Sequence, residues 1–179
     1  DGTPTQVMRG KDAAIAQVSS FRYDDFDRLV EATTPDAGTT RWEHDGAGRR
    51  IFERVGIGTP DEQTTQTTYD SLGRVLTIDR DADANTACWA APNGTPLADE
   101  SFTYDECGWE YHPDPAFTCQ HPLGRLAVAR RDLHCQDGQP VTQVRWYQYD
   151  RRGRLVGSRT TQRTGLAFDH DTGMDYAWT

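Results

Sequence analysis

Several features common in folded and membrane proteins are scarce in this sequence. Its 179 residues include one lysine, Lys11, and only two methionines. No apolar run approaches the roughly 20 residues that a membrane-spanning helix needs, so we expect no membrane insertion. The first five residues contain neither a positively charged segment nor an apolar one, and they do not begin with methionine. We expect that any targeting signal was removed or lies outside this sequence, and that the chain is part of a longer protein.

The charge and composition exclude further classes of protein. The chain has 19 basic and 28 acidic residues, a net charge of -9, which argues against a nucleic-acid partner. Aspartate outnumbers glutamate by 21 to 7, and threonine occurs 22 times beside 16 glycines and 9 prolines. This usage favours turns and strands over helices. The only helical pattern is weak and covers residues 11–18, where an extended lead-in is equally compatible.

A short motif recurs along the chain. The dipeptide Tyr-Asp occurs at Tyr23-Asp24, Tyr69-Asp70, Tyr104-Asp105 and Tyr149-Asp150, and His44-Asp45 is similar to a fifth copy. An arginine follows the aspartate by four residues at Arg28, Arg49, Arg74 and Arg154, and a glycine precedes it at Gly48, Gly73 and Gly153. In the copy at Asp105 the glycine and arginine occur only after an insertion, as Gly124 and Arg125. We call these five segments the YD copies.

Each YD copy has the pattern of a β-hairpin. Before the aspartate, apolar or aromatic residues alternate with polar ones, the period of a half-buried strand. The aspartate carboxylate can accept a hydrogen bond from the amide two residues on, and the glycine can adopt a left-handed conformation that closes the turn. The arginine and an aliphatic pair then begin the return strand, where the arginine can face the tyrosine or aspartate across the ladder. Ordinary turns in an ordinary β-domain would explain the aspartate and glycine but not the recurring tyrosine and arginine.

The copies at residues 69–76 and 147–156 resemble the YD repeats of bacterial Rhs proteins, of toxin-complex cocoon subunits and of animal teneurins. The match is weaker where Asp27 replaces the glycine and where His44 replaces the tyrosine. The resemblance implies an all-β fold of tandem antiparallel hairpins, forming a curved or spiralling sheet that is part of a shell around a C-terminal toxin.

The resemblance also implies an organisation of the chain. We predict a lead-in at residues 1–17 and a YD-repeat array at 18–176, with insertions at 81–100 and 106–121. Residues 168–176 resemble the start of the segment that closes an Rhs core, so residues 177–179 would be a truncated end that stops before the core-closing motif.

Four cysteines, Cys88, Cys107, Cys119 and Cys135, lie in or beside the two insertions. Three disulfide pairings are possible. Cys107 with Cys119 would close the second insertion and leave Cys88 for Cys135, each bond contributing about 3 kcal/mol if unstrained and indicating an oxidising destination. A zinc site that adds His112, His121 or His134 is an alternative without the usual C-x-x-C spacing, and free thiols are a third.

No catalytic constellation stands out. The 28 carboxylates cannot be sorted into an acid pair from sequence, and Asp169-His170-Asp171 has no nucleophile in a recognisable elbow. We therefore expect no enzyme activity, no cofactor and no metal site. The predicted function is structural: a shell segment of a secreted or surface Rhs-like toxin protein, whose partners are the rest of its polypeptide and an enclosed toxin-like cargo. The alternative is a carbohydrate- or protein-binding module of a bacterial surface adhesin.

Overall fold

The computed structural model describes residues 5–9, 17–80, 98–107, 120–136, 139–164 and 167–175. No residue in these ranges is helical. They form twelve strands: β1 (Gln6–Arg9), β2 (Gln17–Tyr23), β3 (Leu29–Thr34), β4 (Gly38–His44), β5 (Arg50–Val55), β6 (Gln63–Tyr69), β7 (Val75–Arg80), β8 (Glu100–Tyr104), β9 (Leu126–Gln136), β10 (Gln139–Tyr149), β11 (Leu155–Thr164) and β12 (Ala167–Asp175).

The chain divides into two compact units, Asp1–Gly73 with Arg80–Ala84, and Arg74–Asp79 with Asn85–Thr179. In each unit the strands lie in chain order within an open antiparallel sheet. The predicted all-β fold of tandem antiparallel hairpins is confirmed. Since neighbours in the chain are neighbours in the sheet, each hairpin can be built from local contacts and then added to the previous one.

Strand β1 lies inside the segment predicted as a lead-in. It pairs antiparallel with β2, with Met8 opposite Val18. Its four residues are too few for a period-two pattern to be recognised from sequence. Of the residues weighed as a helix, Gln17 and Val18 belong to β2, while residues 11–16 lie outside the described part of the chain.

A β-bulge follows every YD turn whose strand pairing the structure describes. The register shifts between Arg22/Tyr23, Glu43/His44, Thr103/Tyr104 and Gln148/Tyr149. The return-strand residues left without an opposite partner are Val30, Ile51, Ala127 and Val156. Two consecutive residues therefore oppose the single residue before the aspartate. This arrangement explains why two aliphatic residues in succession follow an arginine, as Leu29-Val30 and Leu155-Val156 do, where a regular strand would alternate apolar and polar residues.

The two units bury different kinds of side chain. In the second unit Ala127, Val128, Val144 and Trp146 form a buried cluster, and Trp146 is only 1% exposed. In the described part of the first unit only Ala32 and Thr64 are buried. Polar and ring contacts between hairpins therefore carry more of the organisation of the first unit than an apolar core does.

Candidate functional site: the junctions between copies

The turns of the four uninterrupted YD copies have the predicted geometry. The amide of the residue three places after the aspartate donates to the aspartate carbonyl, with N···O distances of 3.0 Å from Asp27 to Asp24, 3.0 Å from Gly48 to Asp45, 3.1 Å from Gly73 to Asp70 and 2.9 Å from Gly153 to Asp150. These positions are left-handed, with φ of 59° at Asp27, 81° at Gly48, 84° at Gly73 and 83° at Gly153. Aspartate is among the non-glycine residues that tolerate this region best, which explains how the first copy dispenses with glycine.

The aspartate carboxylate organises the turn from inside, as the second copy illustrates. Asp45 Oδ1 accepts hydrogen bonds from the amides of Ala47 and Arg49, both at 2.9 Å. Asp45 Oδ2 accepts a third from Arg49 Nε at 2.6 Å. The same three bonds occur at Asp24 and at Asp150. The carboxylate thus binds its own turn and the arginine four residues on with charge-assisted hydrogen bonds.

These bonds favour the ionised form of the aspartates. The hydrogen bond from the Arg49 amide, aided by the Arg49 side chain, holds the pKa of Asp45 below its ordinary value of 3.8. The corresponding bonds from Arg154 lower the pKa of Asp150. At Asp24 burial alone would raise the pKa, but the bonds from Arg28 outweigh it and lower the pKa.

Arg49 also reaches the next copy. The Arg49 guanidinium lies over the Tyr69 ring, 4.8 Å from its centroid, and Arg49 Nη1 donates to the Asp70 carbonyl at 2.9 Å. In return the Tyr69 hydroxyl donates to the Arg50 carbonyl at 2.8 Å. We call this set of contacts a junction. A junction joins consecutive hairpins through a cation–π contact and two hydrogen bonds to backbone carbonyls.

The second unit repeats two of the three junction contacts, while Arg125 Nη1 donates to the His121 and Leu123 carbonyls of its own copy at 3.2 and 2.9 Å. Arg125 lies over the Tyr149 ring, 5.5 Å from its centroid, and the Tyr149 hydroxyl donates to the Leu126 carbonyl at 2.9 Å. Burial raises the pKa of Tyr149, so the hydroxyl stays protonated and remains a donor. The sequence led us to expect the arginine opposite the tyrosine or aspartate of its own hairpin. Three of the arginines do bind the aspartate of their own copy, but the tyrosine that Arg49 or Arg125 contacts belongs to the following copy.

The degenerate copy at His44 keeps only part of the junction. Arg28 Nη1 donates to the Asp45 carbonyl at 3.1 Å, as Arg49 does to the Asp70 carbonyl. The ring that Arg28 covers, however, is Phe26 in its own turn, 5.1 Å from the guanidinium carbon. Replacing tyrosine by histidine thus leaves the backbone contact and changes the ring contact.

The split copy at Asp105 has the expected register but a different ion pair. The Asp105 amide donates to the Arg125 carbonyl at 3.1 Å, and Tyr104 pairs with Leu126. The sequence predicted this pairing, because Gly124 and Arg125 complete the motif after the insertion. Asp105 itself has φ of 70°, where the chain leaves for the insertion. Its carboxylate accepts from Arg74 Nη2 and from the Gly124 amide, both at 2.6 Å.

Both partners of Asp105 hold its carboxyl in the ionised form. The bond from Arg74, followed by that from Gly124, lowers the pKa of Asp105. Arg74 also lies over the Tyr104 ring at 4.4 Å from the centroid. Arg74, the arginine of the preceding copy, therefore binds the Asp105 carboxylate, whereas at Asp24, Asp45 and Asp150 the carboxylate binds the arginine of its own copy.

The cysteine predictions fall mostly outside the described residues. Cys107 is disulfide-bonded and packs against the buried cluster of the second unit. Cys88 and Cys119 lie outside the described residues, and Cys135 lies in β9 without a described side chain. The pairing of Cys107 with Cys119 stays a prediction.

Two described tryptophans are held within the sheet. Trp42 donates from Nε1 to Glu53 Oε1 at 2.6 Å and lies under the Arg50 guanidinium at 5.3 Å. Trp146 belongs to the buried cluster. Both rings serve packing between strands.

Two other kinds of feature, a metal site and a membrane-spanning helix, are absent from the residues that the structure describes. No group of three or more histidine, cysteine, aspartate or glutamate side chains among them is placed to hold a metal ion. That part of the chain also has no helix with the length and apolar character needed to cross a bilayer.

The junctions define a class of protein, a tandem array of YD hairpins in which the arginine of one copy contacts the next copy wherever a next copy follows. Residues 23–55 match the family model described as RHS Repeat. The chain therefore contains Rhs repeat sequence, and the resemblance to Rhs-repeat proteins is confirmed.

Solved structures share the fold. The Photorhabdus luminescens Tc holotoxin pore with a mutated TccC3 aligns over 89% of this chain and 8% of its own, at 15% identity and a TM-score of 0.55. The crystal structure of TcdB2-TccC3-TEV aligns over 83% of this chain and 7% of its own, at 17% identity and a TM-score of 0.50. The chain thus spans less than a tenth of the length of these proteins. No curated protein sequence matches it.

Proposed function

We propose that this chain is a segment of the wall of an Rhs-type shell in a toxin-complex-like protein, and that the shell encloses a polypeptide cargo. The observation that carries the proposal is the junction. An arginine such as Arg49 binds the aspartate of its own copy and also the tyrosine ring and backbone of the next copy, so consecutive hairpins are joined edge to edge. The Rhs repeat at residues 23–55 and the shared fold with Tc toxin structures support the same conclusion.

The mechanism is enclosure by a continuous sheet. A strand edge exposes unpaired backbone groups that recruit other chains. A wall built of hairpins pairs each edge with the next hairpin, which leaves few open edges inside or outside. Junctions add side-chain contacts at every second strand, so the wall resists local opening that would expose the cargo.

The proposed role needs no catalytic group, so we propose that the segment is not itself an enzyme. Its partners are then the rest of the same polypeptide and a toxin-like cargo. Export from a bacterial cell fits the Tc holotoxin relationship, and the disulfide bond at Cys107 is of the kind that persists in oxidising compartments.

Protease protection in the whole protein that contains this chain tests the proposal. We expect polypeptide outside the repeats to survive protease while the wall is intact. Arg125→Ala, which removes a junction, should speed its digestion. Arg145→Ala is the control, because Arg145 is an exposed strand arginine that donates to Thr160 Oγ1 at 3.0 Å and takes no part in a junction. Digestion in the parent as fast as in denatured protein would contradict enclosure.

The alternative, recognition of a surface glycan or protein, requires aromatic side chains that are exposed and able to contact the ligand. The described Trp42 and Trp146 are engaged within the sheet, so this alternative depends on Trp89 and Trp109, which lie outside the described residues. Glycan binding that is lost on mutating either one would favour recognition over enclosure.

A further inference from the structure

The turn of the fifth YD copy carries two arginines at its tip. Arg151 and Arg152 fill the two positions between the aspartate and the glycine, and both are exposed. Within the described part of the chain neither side chain has a hydrogen bond or an ion pair. The turn uses only the backbone there, since the Arg152 amide donates to Asp150 Oδ1 at 2.8 Å. The same positions in the other uninterrupted copies hold Asp25-Phe26, Gly46-Ala47 and Ser71-Leu72.

The surrounding strands are basic in an acidic chain. Residues 120–164 contain nine arginines and three aspartates, whereas the rest of the chain has 10 basic and 25 acidic residues. Some of these arginines are used inside the sheet. Arg130 Nη2, for example, donates at 3.1 Å to Asp132, whose side chain is only 2% exposed and also accepts from Thr142 Oγ1 at 2.9 Å. The tip arginines have no such partner and remain available to a ligand.

The first unit carries the opposite charge at its other end. Because successive strands run in opposite directions, the loops β3–β4 and β5–β6 lie at the end of the strands away from the YD turns. These loops, residues 35–37 and 56–62, contain Asp36, Asp61 and Glu62 and no basic residue. All three acidic residues are exposed, and we call them the acidic rim.

The acidic rim has carboxylates to spare. Among the described residues Asp36 and Asp61 form no side-chain ion pair, and Glu62 lies 3.5 Å from Arg54 Nε. The two loops are separated by two strand spacings, about 10 Å, which two neighbouring arginine side chains can span. Guanidinium groups bind carboxylates through charge-assisted hydrogen bonds, so the tip and the rim are complementary.

We propose that the tip of the fifth YD turn binds the acidic rim of a second copy of this chain. The two surfaces differ, so the contact is heterologous. Each pair of chains keeps one unused tip and one unused rim, and association therefore continues beyond the dimer as the concentration rises. Nucleic acid is a poorer match, because it is bound by neutralising many phosphates along a basic surface and the chain has a net charge of -9.

Sedimentation velocity of the full 179-residue chain is the first test. The association constant should fall about tenfold or more between about 0.02 M and about 0.3 M salt, because exposed charge pairs are screened. Replacing both tip arginines, Arg151→Ser with Arg152→Ser, should weaken association to a similar extent at low salt. Association that is absent at low salt, or that is unchanged in this variant, would overturn the proposal.

A charge exchange between two variants is the sharper test. Arg151→Glu with Arg152→Glu makes the tip acidic, and Asp36→Lys with Asp61→Lys makes the rim basic. Each variant alone should fail to associate, since its tip and rim then have the same sign. An equimolar mixture should associate again, because the acidic tip of one variant matches the basic rim of the other. A mixture that stays monomeric would contradict the proposed contact.

Two controls separate the contact from other charge effects. Arg22→Glu with Arg145→Glu changes the net charge as the reversed tip does, but at exposed strand positions outside the turns. It should associate like the parent, and an equal loss would show that net charge alone is responsible. Duplex DNA should not compete with association; DNA that binds the parent and displaces the second copy would assign the tip to nucleic acid and overturn the proposal.

Discussion

Substitutions at Gly153 and Gly124 can separate two costs of placing a side chain in a YD turn: the strain of a left-handed backbone and the displacement of a junction arginine. Both are left-handed, with φ of 83° and 75°, and both lie in the second unit. A Cβ added to Gly124 would have no atom within 4 Å. One added to Gly153 would overlap the Arg125 guanidinium, whose Cζ would be 2.7 Å away. Gly124→Ala therefore tests backbone strain alone, and Gly153→Ala adds the displacement of a junction arginine.

The magnitudes follow from these two contributions. A left-handed conformation costs a residue with a Cβ about 1–2 kcal/mol. The Arg125 guanidinium lies at the end of a flexible side chain, so it can rotate away, at the loss of its contact with Tyr149, which is worth about 0.5–1 kcal/mol. We expect Gly124→Ala to lower the free energy of unfolding by about 1–2 kcal/mol and Gly153→Ala to lower it by about 1.5–3 kcal/mol.

Native-state hydrogen exchange at the β10 amides, measured with added urea, reports the stability of this unit. The decisive comparison repeats Gly153→Ala in an Arg125→Ala background. No guanidinium then remains to be displaced, so the loss should shrink to that of Gly124→Ala. The same Gly153→Ala loss with and without Arg125 would refute the reasoning, and so would a negligible loss at Gly124. Asparagine should be tolerated better than alanine at both positions, because its side chain accepts the left-handed region.

Three further predictions concern the junction hydroxyl, acid and the disulfide. Tyr149→Phe removes a hydrogen bond of 2.9 Å and should cost about 0.5–1.5 kcal/mol in urea unfolding, whereas Tyr147→Phe should change stability by less than about 0.5 kcal/mol. Asp150 has a lowered pKa, so its stabilisation is present above pH 3.8 and is lost as the pH falls through the folded-state pKa; Asp150→Asn should remove that part of the acid dependence of unfolding, and an unchanged dependence would contradict it. Mass spectrometry of an unreduced digest should find Cys107 linked to Cys119, and a peptide linking Cys107 to any other cysteine would contradict the pairing.

The hairpins could be predicted from the sequence because their determinants are local. A YD turn such as Asp45–Arg49 needs a carboxylate that accepts amides two and four residues on, and a residue that tolerates positive φ at the third position. All of these groups lie within five consecutive residues, so the motif itself carries the information. The register of the split copy could be predicted because Gly124 and Arg125 repeat the end of the motif directly after the insertion.

What the tertiary structure decided depends on which strands lie side by side. The motif places a tyrosine before each turn and an arginine after it, but only the sheet order shows that Arg49 contacts the tyrosine of the next copy. The sequence also could not show that Asp105 binds Arg74 rather than the arginine of its own copy. That choice depends on the left-handed backbone of Asp105 and on the position of Arg74 beside it. Asp132 had no sequence signal, because a charged residue after two arginines has the pattern of a solvated strand. Burial is set by all the neighbours of a side chain in space, and for Asp132 those neighbours include Asp99 and Thr142, which are distant in the chain.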